Sequence, residues 1–121
     1  MKRRTLLQFG SALVGSAAWA QQPPQPLLKR IPSSGEQVPA VGLGSWITFN
    51  VGDDTQARAT CTEVMRQFFA AGGRLIDSSP MYGSSQGVIG DGLQRLGLPR
   101  QAFAADKVWT SGDGAAQLEA S

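Results

Sequence analysis

The alternation of short apolar runs with amphipathic stretches is the feature that most restricts how this chain can fold. Beyond residue 40, three apolar runs are separated by two stretches whose apolar residues recur at helical spacing. Strands that alternate with helices predict a parallel sheet, and a parallel sheet needs helices on its faces. Three strands are too few to close a barrel, which takes eight βα units. The pattern also continues into a helix at the last residues, so we expect the first part of a longer protein.

Turn and cap residues place the individual elements. Glycines and prolines mark their ends, and Asp53, Asp54 or Thr55 is positioned to cap the first long helix. The predicted elements are a β-hairpin over 27–39 turning at Gly35, a buried strand over 41–46, a helix over 55–71, a short strand ending at Asp77, a helix over 84–96, a strand over 103–109 and the start of a helix at 115–120.

The first 20 residues have the three-part plan of a secretory signal peptide. Basic residues at 2–4 precede a mildly apolar run, and Ala18-Trp19-Ala20 is a small-x-small cleavage site. Arg3-Arg4 resembles a twin-arginine signal, which favours a periplasmic protein passed to the export machinery in folded form. Ordinary secretion and an uncleaved anchor remain open. The run is too short for a stable membrane span, and residues 21–26 form a Pro-rich spacer before a domain over 27–121.

Composition excludes several function classes. After the leader, 8 basic residues face 9 acidic ones, so the pI near 9.1 comes mainly from the leader and predicts no nucleic-acid partner. The chain has no histidine, which excludes a Ser-His-Asp triad and Cys/His zinc sites within it, and we expect no metal. The single cysteine, Cys61, falls on the apolar stripe of the first long helix, which predicts a buried, inert thiol.

Three reactive side chains are expected at one edge of the sheet. Asp77 ends one strand, Lys107 lies near the end of the next, and Tyr82 is in the loop between them. Function gathers where parallel strands end. A nearby ammonium lowers the pKa of a phenol, and a carboxylate holds the ammonium in place. We therefore expect Tyr82 to act as a general acid, with Lys107 as its electrostatic partner and Asp77 as the anchor of the lysine.

Together, three stretches of the sequence resemble the aldo-keto reductase family. These are 31–46 (IPSSGEQVPAVGLGSW), 74–86 (RLIDSSPMYGSSQ) and 105–109 (ADKVW). The resemblance implies a (β/α)8 TIM barrel, of which this chain would supply the N-terminal hairpin and about three βα units. It also implies reduction of a small-molecule aldehyde or ketone with NADPH, or with NADH.

The resemblance also implies roles for individual residues. Asp77, Tyr82 and Lys107 match three members of the family's catalytic set. Gly44, Ser45, Trp46 and Asp77 match positions near the cofactor, and we assign substrate contacts to Trp46, Tyr82 and Trp109. The family's histidine would follow a fourth strand, and Gln86 stands where a glutamate is common.

Two other functions remain open beside a full-length reductase. The chain could be a non-catalytic truncated fragment, because it has no histidine and its apolar faces lack covering elements. Alternatively, it could belong to an exported barrel that only binds, because the periplasm has no obvious supply of NADPH.

Overall fold

A computed structural model describes residues 25–120 of the 121-residue chain. The predicted leader, residues 1–20, and residues 21–24 of the predicted spacer lie outside the described residues. No helix within residues 25–120 combines the length and the apolar character needed to cross a bilayer.

Five strands and four helices follow one another in the described part of the chain. In chain order they are β1 (Leu28–Arg30), β2 (Gln37–Pro39), β3 (Leu43–Gly44), α1 (Trp46–Phe49), α2 (Thr55–Ala70), β4 (Leu75–Asp77), α3 (Ser85–Leu96), β5 (Phe103–Ala105) and α4 (Gly114–Ala120).

The predicted hairpin is confirmed. Strands β1 and β2 pair antiparallel, with Leu28 opposite Pro39. Its turn is closed by the Gly35 amide, which donates to the Ile31 carbonyl at 2.8 Å. Gly35 has φ 76°, a left-handed conformation that favours glycine, so this residue type lets the chain reverse here.

The predicted parallel sheet is also confirmed, in the order β3-β4-β5. Its register places Gly44 beside Asp77 and Asp77 beside Ala105. The three strands therefore end in one row, and the loops that follow them leave from the same edge of the sheet.

Helices α2 and α3 pack on each other and on the sheet to form the core. Asp54 is the residue that caps α2, since its Oδ1 accepts the Ala57 amide at 2.9 Å. Met65 of α2 is fully buried, and its methyl end lies against Gly92 of α3. The buried apolar cluster comprises Phe49, Cys61, Met65, Ile76, Val88 and Ile89. Val64, an apolar residue next to Met65 on α2, is exposed.

Two of the predicted strands were too long. The strand expected over 41–46 is reduced to Leu43–Gly44, and Trp46 begins α1, a helical turn that the sequence did not reveal. This turn carries Phe49 into the core, where it is 3% exposed. The strand expected over 103–109 ends at Ala105, and beyond it the Lys107 amide donates to the Asp106 carboxylate instead of to a neighbouring strand.

Candidate active site

An acid and an amine lie at the edge of the sheet where the three parallel strands end. Asp77 is the last residue of β4, and Lys107 lies two residues beyond the end of β5. The Lys107 ammonium donates to both carboxylate oxygens of Asp77 at 2.7 Å, and to the Ser78 carbonyl at 2.9 Å. Two charge-assisted bonds to one carboxylate fix the ammonium better than one would.

The environment of Lys107 favours its charged form. Hydrogen bonding to Asp77 is the main reason why the pKa of Lys107 is raised above 10.5, with a smaller contribution from Tyr82, while desolvation opposes the rise. Both side chains of the ion pair remain partly open to water, at 38% exposed for Lys107 and 41% for Asp77. The ammonium is therefore permanently charged near neutral pH and accessible from solvent.

Tyr82 is brought to the same place by the loop between β4 and α3. The Lys107 nitrogen lies 4.9 Å from the centroid of the Tyr82 ring. The loop is held by the Tyr82 amide, which donates to the Ser79 carbonyl at 3.0 Å. Gly83 follows with φ 57°, and a side chain there would run into Asn50. The structure thus brings together the three side chains that the sequence singled out as catalytic.

A buried group of serines supports this edge, and the sequence analysis did not predict this role, since it named only Ser45 and placed it near the cofactor. The Ser45 hydroxyl donates to the Asp77 carbonyl at 2.7 Å, and the Ser85 hydroxyl donates to the Ser45 carbonyl at 3.3 Å. The hydroxyls of Ser78 and Ser85 lie 3.4 Å apart. These side chains join the ends of β3 and β4 to the start of α3. The sequence signal for this group was the presence of serines close to two strand ends and a helix start, at positions 45, 78, 79 and 85.

The residues predicted to contact a cofactor have different surroundings. Gly44 faces open space, since an added Cβ would meet no atom within 4 Å. Ser45 is fully buried with its hydroxyl turned toward Asp77, whereas Trp46 is 64% exposed. The Trp46 ring centroid lies 6.4 Å from that of Tyr82. Their assignment as cofactor contacts stays a prediction, with Gly44 and Trp46 on the open side of the edge.

Trp109, the third residue predicted to contact substrate, belongs to a different local structure. Its amide donates to the Gln117 side chain at 2.6 Å, and its carbonyl accepts from the same side chain at 3.3 Å. Its ring is 69% exposed. The segment that carries Trp109 is therefore tied to α4, and its role at a substrate site also stays a prediction.

The side chains gathered at this edge have the chemistry of proton transfer. Within residues 25–120, no group of three or more His, Cys, Asp or Glu side chains is placed to hold a metal ion. A phenol beside a fixed ammonium can donate a proton to a developing alkoxide, because the positive charge stabilises the phenolate that remains.

Comparison with known proteins points to one family. Residues 40–121 match the family model described as "Aldo/keto reductase family". The chain is also 36% identical over 89 residues to methylglyoxal reductase YeaE of Escherichia coli (strain K12). That alignment covers 69% of this chain and 30% of the relative, so the chain spans less than a third of the length of that protein.

Proposed function

The chain belongs to the aldo/keto reductase family, and on this premise we propose that the whole protein reduces small aldehydes or ketones with a nicotinamide cofactor. The three parallel strands are then the opening strands of the family's (β/α)8 barrel, and their common edge is the catalytic face. The observation that carries the proposal is the Lys107 ammonium, placed 2.7 Å from the Asp77 carboxylate and 4.9 Å from the Tyr82 ring centroid.

The donor set at this edge fits the reacting end of such a cofactor. Open space at Gly44 adjoins a row of strand ends that holds a carboxylate and an ammonium. Trp46 stands exposed on the same side and offers an apolar face to a planar ring. Gly44, Trp46 and Asp77 are accordingly the residues we propose to border NADPH or NADH, with Ser45 buried behind them and bonded to the Asp77 carbonyl. When bound, the cofactor supplies a hydride to the carbonyl carbon.

The side chains of this chain handle the proton. As the carbonyl carbon gains its hydrogen, the C=O π bond opens and charge develops on oxygen. Tyr82 donates its phenolic proton to that oxygen, which completes the alcohol. Lys107 stabilises the phenolate left on Tyr82, and Asp77 holds the ammonium in reach. General acid catalysis of this type contributes roughly 100- to 10,000-fold to a rate.

The chemistry of the relative suggests which carbonyl compounds to test first. The E. coli relative is a methylglyoxal reductase, so we propose small α-oxoaldehydes as the leading substrate class. Trp46 and Tyr82, with ring centroids 6.4 Å apart, would border such a substrate, and Trp109 is the third proposed contact.

The experiment measures consumption of NADPH and NADH by the full-length protein with methylglyoxal and a panel of small aldehydes. We expect Tyr82→Phe and Lys107→Gln to lose most turnover, while Lys29→Gln on the hairpin, the same substitution away from the site, keeps it. Circular dichroism checks that each variant is folded. Unchanged turnover in Tyr82→Phe would refute the proposal.

We also propose that the protein acts in the periplasm after export by the twin-arginine route. The support is the sequence of residues 1–20, with paired arginines before a mildly apolar run and a small-x-small site at 18–20. A reporter fused behind residue 26 tests this proposal. Export should stop when both Arg3 and Arg4 become lysine, and continued export would reject the twin-arginine route.

A binding function without turnover is the second candidate. Its support is the leader-like sequence of residues 1–20, because the periplasm has no obvious supply of NADPH. This candidate predicts that the protein retains a nicotinamide cofactor without oxidising it when aldehydes are added. Measured turnover would exclude it.

A further inference from the structure

The position of the ammonium at the site depends on a segment that lies beyond the sheet. The pairing of β4 with β5 ends at Asp77 and Ala105, and the Ala105 carbonyl then accepts the Ser78 amide at 2.9 Å. Lys107 lies two residues further on, yet its side chain turns back to Asp77. A lysine has a flexible four-carbon stem, so the place of its ammonium depends on how firmly its backbone is held.

One carboxylate holds this backbone. Asp106 accepts the Lys107 amide through Oδ1 at 2.7 Å. Its other oxygen, Oδ2, accepts a short hydrogen bond from the Gln86 side-chain amide. Gln86 lies in the first turn of α3, directly after the loop that carries Tyr82. Asp106 therefore connects the backbone of Lys107 to α3, the helix that directly follows the loop carrying Tyr82.

Packing contributes little to this connection. Asp106 is exposed and Gln86 is half-buried, and both border a cavity of about 190 Å³ between α3 and β5. Two hydrogen bonds, rather than surrounding apolar atoms, thus fix the carboxylate.

We infer that Asp106 and Gln86 are positioning residues, which hold the Lys107 backbone so that its ammonium reaches Asp77 and Tyr82 together. This inference rests on the proposed function and deepens it. Neither side chain touches the reacting groups; both act through Lys107. Electrostatic attraction between Asp106 and the ammonium is the competing explanation, and it makes a different prediction for an uncharged Asp106 variant.

The test compares variants by the titration of the Lys107 ammonium, followed by NMR on lysine-labelled protein. Asp106→Ala removes both bonds, and Gln86→Leu removes the link to α3. Asp106→Asn loses the charge but keeps an oxygen for the Lys107 amide and an amide that can pair with Gln86. Asp113→Ala is the matched control, because Asp113 also accepts a nearby backbone amide, that of Ala115 at 2.9 Å.

Positioning predicts that the pKa of Lys107 falls in Asp106→Ala and Gln86→Leu but stays raised in Asp106→Asn and Asp113→Ala. In an active full-length protein, the first two variants should also lose roughly 10- to 100-fold in kcat with little change in KM, as small misplacements at reacting centres do. Equal falls in Asp106→Ala and Asp106→Asn would overturn the inference in favour of a charge effect. No fall in the folded Gln86→Leu protein would also overturn it.

The titration separates this inference from the proposed function. It requires no turnover, so a protein without reductase activity still reports whether Asp106 and Gln86 hold the ammonium. Conversely, an active enzyme with an unchanged Lys107 titration in Asp106→Ala and Gln86→Leu would keep the proposed function and reject the positioning pair.

Discussion

The Asp77–Lys107 ion pair should matter far more for chemistry than for stability, and the structure supplies the magnitudes. Its two side chains are 41% and 38% exposed, so water screens their attraction. Ion pairs exposed to this degree contribute at most about 1 kcal/mol to the free energy of unfolding. We therefore expect Asp77→Asn, which removes the charge and keeps the shape, to lower that free energy by about 1 kcal/mol or less.

Met65→Ala is the variant with which we compare the free energy of unfolding lost in Asp77→Asn. Met65 is fully buried between α2 and α3, and its truncation leaves a cavity lined by core residues. Buried methionine-to-alanine changes cost about 2–5 kcal/mol. Urea unfolding followed by circular dichroism measures both variants under the same conditions, and we expect Met65→Ala to be the more damaging by at least about 1 kcal/mol.

The Asp77→Asn variant also reports on the charge of Lys107. Because Asp77 is the main cause of the raised pKa of Lys107, Asp77→Asn should lower that pKa toward 10.5. A raised lysine pKa stabilises the fold below 10.5 and loses this contribution as the pH rises through the raised value. The stability difference between wild type and Asp77→Asn should thus shrink at strongly alkaline pH. If Asp77→Asn costs as much as Met65→Ala near neutral pH, the ion pair is a structural element and our reasoning fails.

Three further predictions concern single residues. Gly83→Ala should destabilise the fold by about 1–3 kcal/mol, because Gly83 has φ 57° and an added methyl group would meet the Asn50 side chain. Gly87 occupies an open position of α3, so Gly87→Ala should be neutral or stabilising in the same urea experiment. Hydrogen bonds from other α2 side chains lower the pKa of Glu63 to about 2. The Glu63 carboxylate should therefore stabilise the fold above pH 4.5 and lose this contribution as the pH falls toward 2. An NMR titration midpoint near 4.5 would contradict this prediction. Cys61 is only 5% exposed, and burial also raises the pKa of its thiol, so alkylation should be much faster in urea than in the native protein; equal rates would refute this.

Local patterns in the sequence were enough to predict most of the architecture. The helical spacing of apolar residues located α2 and α3, and glycine at 35 located the hairpin turn, because these signals act over a few neighbouring residues. The alternation of strands and helices then implied parallel pairing. It also implied that Asp77 and Lys107 lie at one edge of the sheet, because consecutive parallel strands end on the same side.

The sequence alone could not set the lengths of the strands or the partners of the polar groups. The strand expected through Trp109 stops at Ala105, where the Asp106 side chain takes the Lys107 amide, and the unexpected helix α1 places Phe49 in the core. Ser45, Ser78 and Ser85 meet across as many as 40 residues of chain, so no local pattern marks their hydrogen bonds.

By itself, then, the order of residues determined which long helices and paired strands form and which reactive side chains share an edge, since both follow from short-range propensity and from the handedness of parallel connections. Only the tertiary structure decided how those side chains are oriented. The distance from the Lys107 ammonium to Asp77 and to the Tyr82 ring depends on contacts between distant segments, and these exist only once the chain has packed.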